Sequence, residues 1–434
     1  MKRYILIVAV ILAGFVSCTY SASQAQTVEF DKYFELKTLR FDFYIGGNAE
    51  VQHVFADRFR QEPYWAGPRN GLISPFDYGE YKCCMYEKAT GKLLYSTGFS
   101  SLFMEWRTTA EASVTDRSYT HAVCFPFPKV PVKIELMERN RATMEFESLF
   151  STELEPSSIF IEKDKLNDFK VSCLLDNGNP VDNLDLVFVA EGYTASEQEK
   201  FLKDARKFMD YMFTVKPYSG RQRDFNIWAV GAISEESGTD NPGKNEWNNT
   251  AMNSSFYTFG VDRYLTTADF KALRDAVSNT PCDAIYVIVN TNQYGGGGIY
   301  NFYGLSTADN DRSLPVFVHE LGHSLCGLGD EYYTSEVAYQ DFYNLKMEPW
   351  EPNITTLVDF CKKWQYLIPA TTPVPTPDTE TYRNKTGVFE GGGYMAKGVF
   401  RPAVNCRMKT NEAEFCEVCV RSINRIIDFY SNKK

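Results

Sequence analysis

Residues 186–190 form an unbroken apolar run, LVFVA, which constrains the fold more than any other part of the sequence. A strand that is buried on both faces has this composition, and such strands are typical of parallel sheets covered by other layers. Thr194 and Glu197 then have the spacing of a capping box and predict the start of a helix. Another helix and two strands are predicted at 267–277, 225–230 and 284–289. This order predicts a twisted α/β sheet with crossover helices.

The chain before about residue 155 has a different pattern. Residues 130–136 and 144–147 place an apolar side chain at every second position, as half-buried strands do. Residues 89–92 separate two apolar segments, where a hairpin turn is expected. A chain of 434 residues is long enough for at least two domains. We therefore predict an antiparallel β-sandwich at 26–155, as an accessory domain, and a larger α+β or α/β domain with a mixed sheet at 156–434.

The N-terminal segment at 1–25 has the pattern of an export signal. Lys2 and Arg3 precede an apolar run at 4–16, which is shorter than the roughly 20 residues that a membrane-spanning helix needs. Cleavage after Ala25 is one expected route, and the other makes Cys18 a lipidated N-terminus that anchors the chain to a membrane surface. Either route predicts an exported protein, in the periplasm, at the cell surface or secreted.

Charge and cysteine content exclude some functions and leave others open. The formal net charge of −11, with no basic block, argues against nucleic-acid binding. Cys416 and Cys419 are spaced as Cys-x-x-Cys with Cys406 nearby, and this is part of a metal-knuckle pattern. Only three thiols occur there and no histidine is close, so the sequence favours a disulfide or buried thiols.

The strongest chemical signal is the pentapeptide HELGH at 319–323. On a helix, His319 and His323 lie on one face, where two neutral imidazoles can hold one Zn²⁺. Glu320 lies beside that face and can act as general base toward a water molecule. The chain has only four histidines, so two of them in one pentapeptide is an arrangement that chance rarely produces.

A catalytic zinc also needs a third protein ligand. Glycines directly after the predicted helix allow the chain to turn back, which makes Asp330 the first candidate. Glu331 is an alternative ligand, or it can hold a ligating histidine in place. Glu348 and Glu351 are candidates if a later segment completes the site.

Two weaker patterns concern other ligands. Asp240, Asn241 and Asn245 lie in a polar loop and could hold Ca²⁺, although an ordinary turn is the favoured interpretation. Four consecutive glycines at 295–298 predict a turn into an edge strand upstream of the HELGH segment. Such an edge can pair with an extended peptide substrate by β-augmentation.

The segment HELGHSLCGLGDEY at 319–332, with EGGGY at 390–394, FRP at 400–402 and NCRM at 405–408, resembles the M64 family of metallopeptidases. These are the IgA-peptidase-like, or igalysin, relatives of the metzincins. The resemblance covers roughly residues 160–430, and the preceding part resembles the family's β-rich leading domain. It implies a zincin-type catalytic domain with an active-site helix and an endopeptidase that cleaves proteins or peptides.

The resemblance also implies residue roles. His319, His323 and Asp330 would be the zinc ligands, and Glu320 would be the general base. A methionine turn beneath the metal would contain Met408, with Met395 as the alternative. The general pattern is HExxHxxGxxH or HExxHxxGxxD, whereas Asp330 comes seven residues after His323 and Cys326 stands at the glycine position.

Further alternatives remain at this stage. Thr410 stands two residues after Met408, where a tyrosine would be expected, so Tyr394 becomes the candidate for polarising a substrate carbonyl. A surface binding module on a catalytically silent zincin scaffold is a second functional hypothesis, which Glu320 disfavours because a purely structural site does not use it. Zinc-dependent hydrolysis of a non-peptide amide or glycoconjugate is a third.

Overall fold

A computed structural model describes residues 27–333 and 343–432, and the structural statements that follow refer to these ranges. The predicted export signal and Cys18 lie outside the described residues. Within these ranges, no helix combines the length and the apolar character that crossing a membrane would require.

The chain up to residue 162 forms two four-stranded sheets with the orders β5-β1-β2-β8 and β4-β3-β6-β7. All strand pairs are antiparallel except the short β2–β8 pair. The elements are α1 (Phe30–Tyr33), β1 (Phe34–Gly47), β2 (Gln52–Glu62), β3 (Tyr81–Glu87), β4 (Leu93–Phe99), α2 (Leu102–Trp106), β5 (Arg117–Pro128), β6 (Val132–Arg139), β7 (Phe146–Leu154) and β8 (Ile161–Glu162).

The two sheets face each other across an aromatic core. Phe41 on β1 stacks on Phe59 on β2 and on Phe150 on β7, with ring centroids 4.7 and 5.8 Å apart. The hairpin predicted at 89–92 joins β3 and β4. Met144, however, is not part of a strand, because it has a positive φ of 60° in the turn that precedes β7.

The second part is built on a six-stranded mixed sheet with the order β15-β16-β14-β10-β11-β9. Its four central strands are parallel, and the two edge strands are antiparallel to their neighbours. The elements are β9 (Lys170–Leu175), β10 (Leu184–Glu191), α3 (Gln198–Met212), β11 (Phe225–Gly231), β12 (Ser254–Ser255), β13 (Thr266–Thr267), α4 (Phe270–Val277), β14 (Ala284–Val289), β15 (Gly296–Ile299), β16 (Tyr303–Thr307), α5 (Ser313–Cys326), β17 (Phe389–Gly392), β18 (Met395–Arg401) and α6 (Glu417–Tyr430).

The sequence predictions for this part agree with the structure at most elements. The run at 186–190 lies in β10, in which every residue is buried. The Thr194–Glu197 capping box forms, and it caps a short 3₁₀ turn (Ala195–Glu197) that leads directly into α3. The helix predicted from 267 begins only at Phe270, because the Asp269 side chain caps it by accepting a hydrogen bond from the Ala272 N–H.

Each face of this sheet is covered by a different layer. Leu186 and Phe188 belong to a core shared with α3, α5 and α6, whereas Val187 and Val189 belong to a core that continues into the sandwich. Strand residues point alternately to opposite faces, so β10 lies between the helices and the sandwich together with α4. The chain is therefore a mixed α+β protein whose two halves share one continuous core.

Candidate metal centre

Helix α5 positions the HELGH segment against the edge of the sheet. It ends at Cys326 because Gly327 adopts a left-handed conformation, with φ 63° and ψ 28°, and donates its N–H to the His323 carbonyl. Phe317 and Leu321 are buried against the sheet and fix the rotation of the helix. His319, Glu320 and His323 consequently lie along the opposite side, on the wall of an open cleft.

Three side-chain atoms converge in this cleft. The Nε2 atoms of His319 and His323 are 3.1 Å apart, and Asp330 Oδ1 lies 3.1 Å from the first and 3.2 Å from the second. Ligands at about 2.0–2.2 Å from a tetrahedral zinc are separated by about 3.3 Å. The three atoms thus have nearly the spacing of one face of such a coordination sphere.

The other nitrogen of each ring fixes which atom faces the cleft. His319 Nδ1 lies 2.8 Å from the Arg407 carbonyl, and His323 Nδ1 lies 2.5 Å from the Leu328 carbonyl. A carbonyl can only accept, so each Nδ1 carries a proton and donates it. Both neutral rings then present the lone pair of Nε2, which is the form that binds a metal.

This donor set fits a bound cation. Two Nε2 lone pairs and a carboxylate oxygen are all acceptors, and nothing within the triangle of His319, His323 and Asp330 donates to them when the rings are neutral. Burial opposes protonation of His323, but the charges of Asp330 and Glu320 outweigh it and raise its pKa to about 9. The negative charges of Asp330 and Glu320 that favour a proton on His323 also favour a bound metal ion.

Asp330 reaches the histidines despite its seven-residue spacing from His323. The additional residue is taken up in the turn from Gly327 to Gly329, in which the Leu328 carbonyl serves as partner of His323. The tip of the β17–β18 hairpin then holds Asp330 from the other side. Gly393 donates its N–H to the Asp330 carbonyl over 2.8 Å, and the Tyr394 hydroxyl donates to Asp330 Oδ2.

Glu320 lies next to this triangle. One of its carboxylate oxygens is within 4.8 Å of ligand atoms of both histidines. Burial raises the pKa of Glu320, and the neighbouring His319 and His323 oppose that rise. A carboxylate with a raised pKa beside a candidate metal position has the properties of a general base or acid.

Met408 packs against Gly322, the residue that directly precedes His323 in α5. Its side chain is fully buried, and its Sδ is 2.9 Å from where a Cβ on Gly322 would stand. Only a glycine at 322 permits this approach. The alternative, Met395, begins β18 and is half-buried.

The alternative ligand candidates lie in different environments. Glu331 is fully buried, but its carboxylate contacts Asn353 and Cys419. Glu348 accepts hydrogen bonds from the Asp359 N–H and the Thr356 hydroxyl. Glu351 lines the same cleft as the histidines and accepts from the Tyr343 hydroxyl over 2.9 Å.

Three of the four glycines at 295–298 lie in the cleft wall rather than in a free turn, namely Gly296, Gly297 and Gly298. Residues 296–298 form most of β15, the antiparallel edge strand of the sheet. A Cβ on Gly298 would lie 2.4 Å from the Glu320 carbonyl oxygen, and one on Gly296 would lie 2.7 Å from Val316. The strand contains glycines because it packs directly on the backbone of α5.

Several parts of the site carry no sequence signal. The Arg407 and Leu328 carbonyls act through the backbone, so their side chains do not reveal them. The cleft is also lined by residues from the sandwich, for which the sequence predicts only an accessory role. These residues are Glu80, Ser100, Ser101, Met104, Glu105, Thr108 and Arg141.

The loop considered for Ca²⁺ is held by internal hydrogen bonds. Asp240 Oδ1 accepts from the Asn248 N–H over 2.7 Å, and Asn241 donates to Gln293. Asn245 has a left-handed conformation at the end of a short turn. These contacts are those of a structured polar loop.

Two family models match the chain. One, described as IgA Peptidase M64, matches residues 173–383 and 378–427, which is more than half of the chain. The other, described as Peptidase M64 N-terminus, matches residues 29–151. No curated protein matches the chain.

Proposed function

Since the chain belongs to the M64 family of peptidases and is therefore a peptidase, we propose that it is a zinc-dependent endopeptidase with a metzincin-like catalytic domain. The observation that carries this proposal is the triangle of acceptor atoms formed by His319, His323 and Asp330. These three residues would hold the zinc, and the cleft beside them would leave a further coordination position accessible.

Each residue of the site has a role in peptide-bond hydrolysis. When bound, zinc supplies Lewis-acid chemistry, which lowers the pKa of water and polarises a carbonyl. Glu320 takes a proton from the attacking water and passes it to the leaving amine. Its raised pKa favours this role, because a proton taken up by a buried carboxylate can be passed on at neutral pH. The Tyr394 hydroxyl orients Asp330 through the hydrogen bond to Oδ2.

The substrate would lie along the glycine strand β15. This antiparallel edge strand lines the cleft beside the histidines, and an extended peptide can pair with such an edge. Only one bridge, between Tyr264 and Gly296, is made at its outer side within the described residues. A peptide bound in this way passes the Glu320 carboxylate and the three candidate ligands.

Export is part of the proposal. The sequence at 1–25 supports a signal peptide, and Cys18 supports lipid attachment as the alternative route. Sequencing the N-terminus of the mature protein distinguishes a chain that begins at Gln26 from one that begins at a modified Cys18. An intact Met1 in the mature protein would contradict both routes.

The experiment that tests the mechanism compares zinc content and proteolysis in two variants. Glu320→Gln is expected to keep the zinc of the wild-type protein and to lose cleavage of a mixed peptide library. Glu199→Gln, which changes an exposed glutamate on α3, is the matched control and should retain both. Proteolysis at wild-type rate in Glu320→Gln would overturn the role of Glu320.

A further inference from the structure

We propose that Glu331, Cys406, Cys416 and Cys419 form a second metal site, a structural one that binds Zn²⁺ through three thiolates and one carboxylate. One ligand atom from each of the four side chains lies within 4.8 Å of the others. Glu331 comes from the turn after α5, Cys406 and Cys416 come from the segment that leads into α6, and Cys419 lies in the first turn of α6. Glu331 is far from the three cysteines in the sequence. The sequence alone therefore shows three of the four ligands and does not indicate a complete site.

The distances inside this cluster match a tetrahedral site. Cys406 Sγ and Cys419 Sγ are 3.7 Å apart, and Cys419 Sγ is 3.4 Å from Glu331 Oε1. With Zn–S at about 2.3 Å and Zn–O at about 2.0–2.2 Å, tetrahedral geometry gives separations of about 3.8 Å and about 3.5 Å. The thiolate-rich ligand set also favours zinc over magnesium or calcium, which take oxygen ligands.

The backbone around the cysteines is arranged to support thiolates. Cys416 is the N-cap of α6, and Cys419 lies in its first turn, where the helix dipole favours negative charge. The Cys416 N–H points at Cys406 Sγ over 3.3 Å, and an N–H donor stabilises a thiolate. The Cys-x-x-Cys spacing at a helix start is the usual way for a short segment to supply two zinc ligands.

The buried carboxylate of Glu331 gives independent support for a cation at this site. The residue is fully buried, and its Oε1 accepts from Asn353 Nδ2 over 3.0 Å. Its Oε2 is also buried and has no hydrogen-bond partner among the described residues. An ionised carboxylate buried in this way is strongly destabilised unless a cation accompanies it. A zinc ion at the cluster supplies that cation.

A disulfide fits this arrangement less well. The Cys406 and Cys419 sulfurs would have to approach from 3.7 Å to about 2.05 Å to form a bond. That bond would leave the third thiol and the Glu331 carboxylate without a role in the cluster. The metal accounts for all four side chains, whereas a disulfide accounts for two.

The site would connect α6 to both segments that complete the catalytic centre. Glu331 directly follows Asp330, and its N–H donates to the Met408 carbonyl over 2.7 Å. Cys406 directly precedes Arg407, whose carbonyl holds His319. The second zinc would thus hold both segments in position relative to α6. The inference rests on the cluster itself and stands whether or not the proposed peptide hydrolysis is correct.

Zinc stoichiometry by elemental analysis of the purified protein tests the site. We expect two zinc ions per chain in the wild type and one in the double variant Cys416→Ser/Cys419→Ser. Cys173→Ser, at an exposed cysteine on β9, is the matched control and should retain two. His319→Ala/His323→Ala should keep one zinc, at the cysteine cluster. A zinc content that is the same in the wild type and in Cys416→Ser/Cys419→Ser would overturn the proposal.

A second measurement uses the wild-type protein, so it does not require that any variant folds. After replacement of zinc by Co²⁺, the wild-type protein should show sulfur-to-cobalt charge-transfer absorption, which ligands of nitrogen and oxygen alone do not give. Absence of that absorption in the Co²⁺-loaded protein would contradict the site. An intact-mass and peptide analysis that finds Cys406 joined to Cys416 or Cys419 in a disulfide would also contradict it.

Discussion

The Nε2 atoms of His319 and His323 lie 3.1 Å apart, and the second nitrogen of each ring is held by a backbone carbonyl. Backbone contacts therefore fix the orientations of both rings without help from a bound metal. Such preorganisation is what a metal centre needs, because little ordering remains to be done on binding.

Replacing Asp330 tests the third ligand. Asp330→Ala removes the oxygen that lies 3.1 Å from one Nε2 atom and 3.2 Å from the other. Loss of a direct ligand should weaken zinc binding by more than the roughly 10–100-fold that supporting residues contribute. Competition with a chromogenic chelator measures the change. Glu351→Ala, in the same cleft, is the comparison, and the assignment would be wrong if that variant lost zinc while Asp330→Ala kept it.

Replacing Tyr394 separates two roles for its hydroxyl. If the hydroxyl positions Asp330, Tyr394→Phe should lower zinc affinity by roughly 10–100-fold. If it instead polarises a substrate carbonyl, kcat falls and zinc affinity stays the same. Tyr366→Phe, at an exposed tyrosine that does not line the cleft, serves as the control. Unchanged zinc affinity and unchanged kcat would exclude both roles.

The glycine strand can be tested by adding single methyl groups. In Gly298→Ala the new Cβ would lie 2.4 Å from the Glu320 carbonyl, so β15 must move away from α5. Overpacking of this kind destabilises a protein by about 1–3 kcal/mol. Gly220→Ala adds a methyl group where nothing lies within 4 Å, and it should be nearly neutral. Urea unfolding of both variants measures the difference, and equal stabilities would refute the close packing.

His121 should make stability depend on pH. Its ring is 2% exposed and stacks on Phe43 and Phe302, and burial lowers its pKa to about 4. Because the folded pKa is below the unfolded value of about 6.5, the unfolded state binds the proton first as pH falls. The contribution is fully present above pH 6.5 and is lost toward pH 4.

This shift corresponds to a loss of about 2 kcal/mol of unfolding free energy between pH 7.5 and pH 5. Urea unfolding at the two pH values, in wild type and in His121→Phe, isolates it from other titrating groups. The loss in the wild type should exceed the loss in the variant by this amount. Identical losses in the two proteins would mean that His121 is not buried in neutral form.

Local patterns in the sequence were sufficient for much of the fold. The run at 186–190 and the Thr194–Glu197 capping box depend on neighbouring residues, so they could be recognised directly. The helix that carries His319 and His323 could also be recognised from neighbouring residues alone. What covers Val187 and Val189 could not be predicted, because a buried strand has the same composition whether helices or a sandwich packs on it.

The candidate site was less accessible to sequence reasoning. Glu331 follows Asp330 directly, yet one side chain contacts the histidines and the other contacts Cys419. Which carboxylate turns to which side depends on the backbone of the turn and on its contacts with Met408 and Gly393. These contacts join segments that lie far apart in the sequence, and no local pattern records them.

A crystal structure of the purified protein, with an anomalous-difference map collected at the zinc edge, tests directly whether His319, His323 and Asp330 hold a zinc ion. We expect a peak about 2.0–2.2 Å from His319 Nε2, His323 Nε2 and Asp330 Oδ1, with Glu320 beside it but not coordinating. A map without a peak at these three atoms, or with a peak that excludes Asp330, would contradict this assignment.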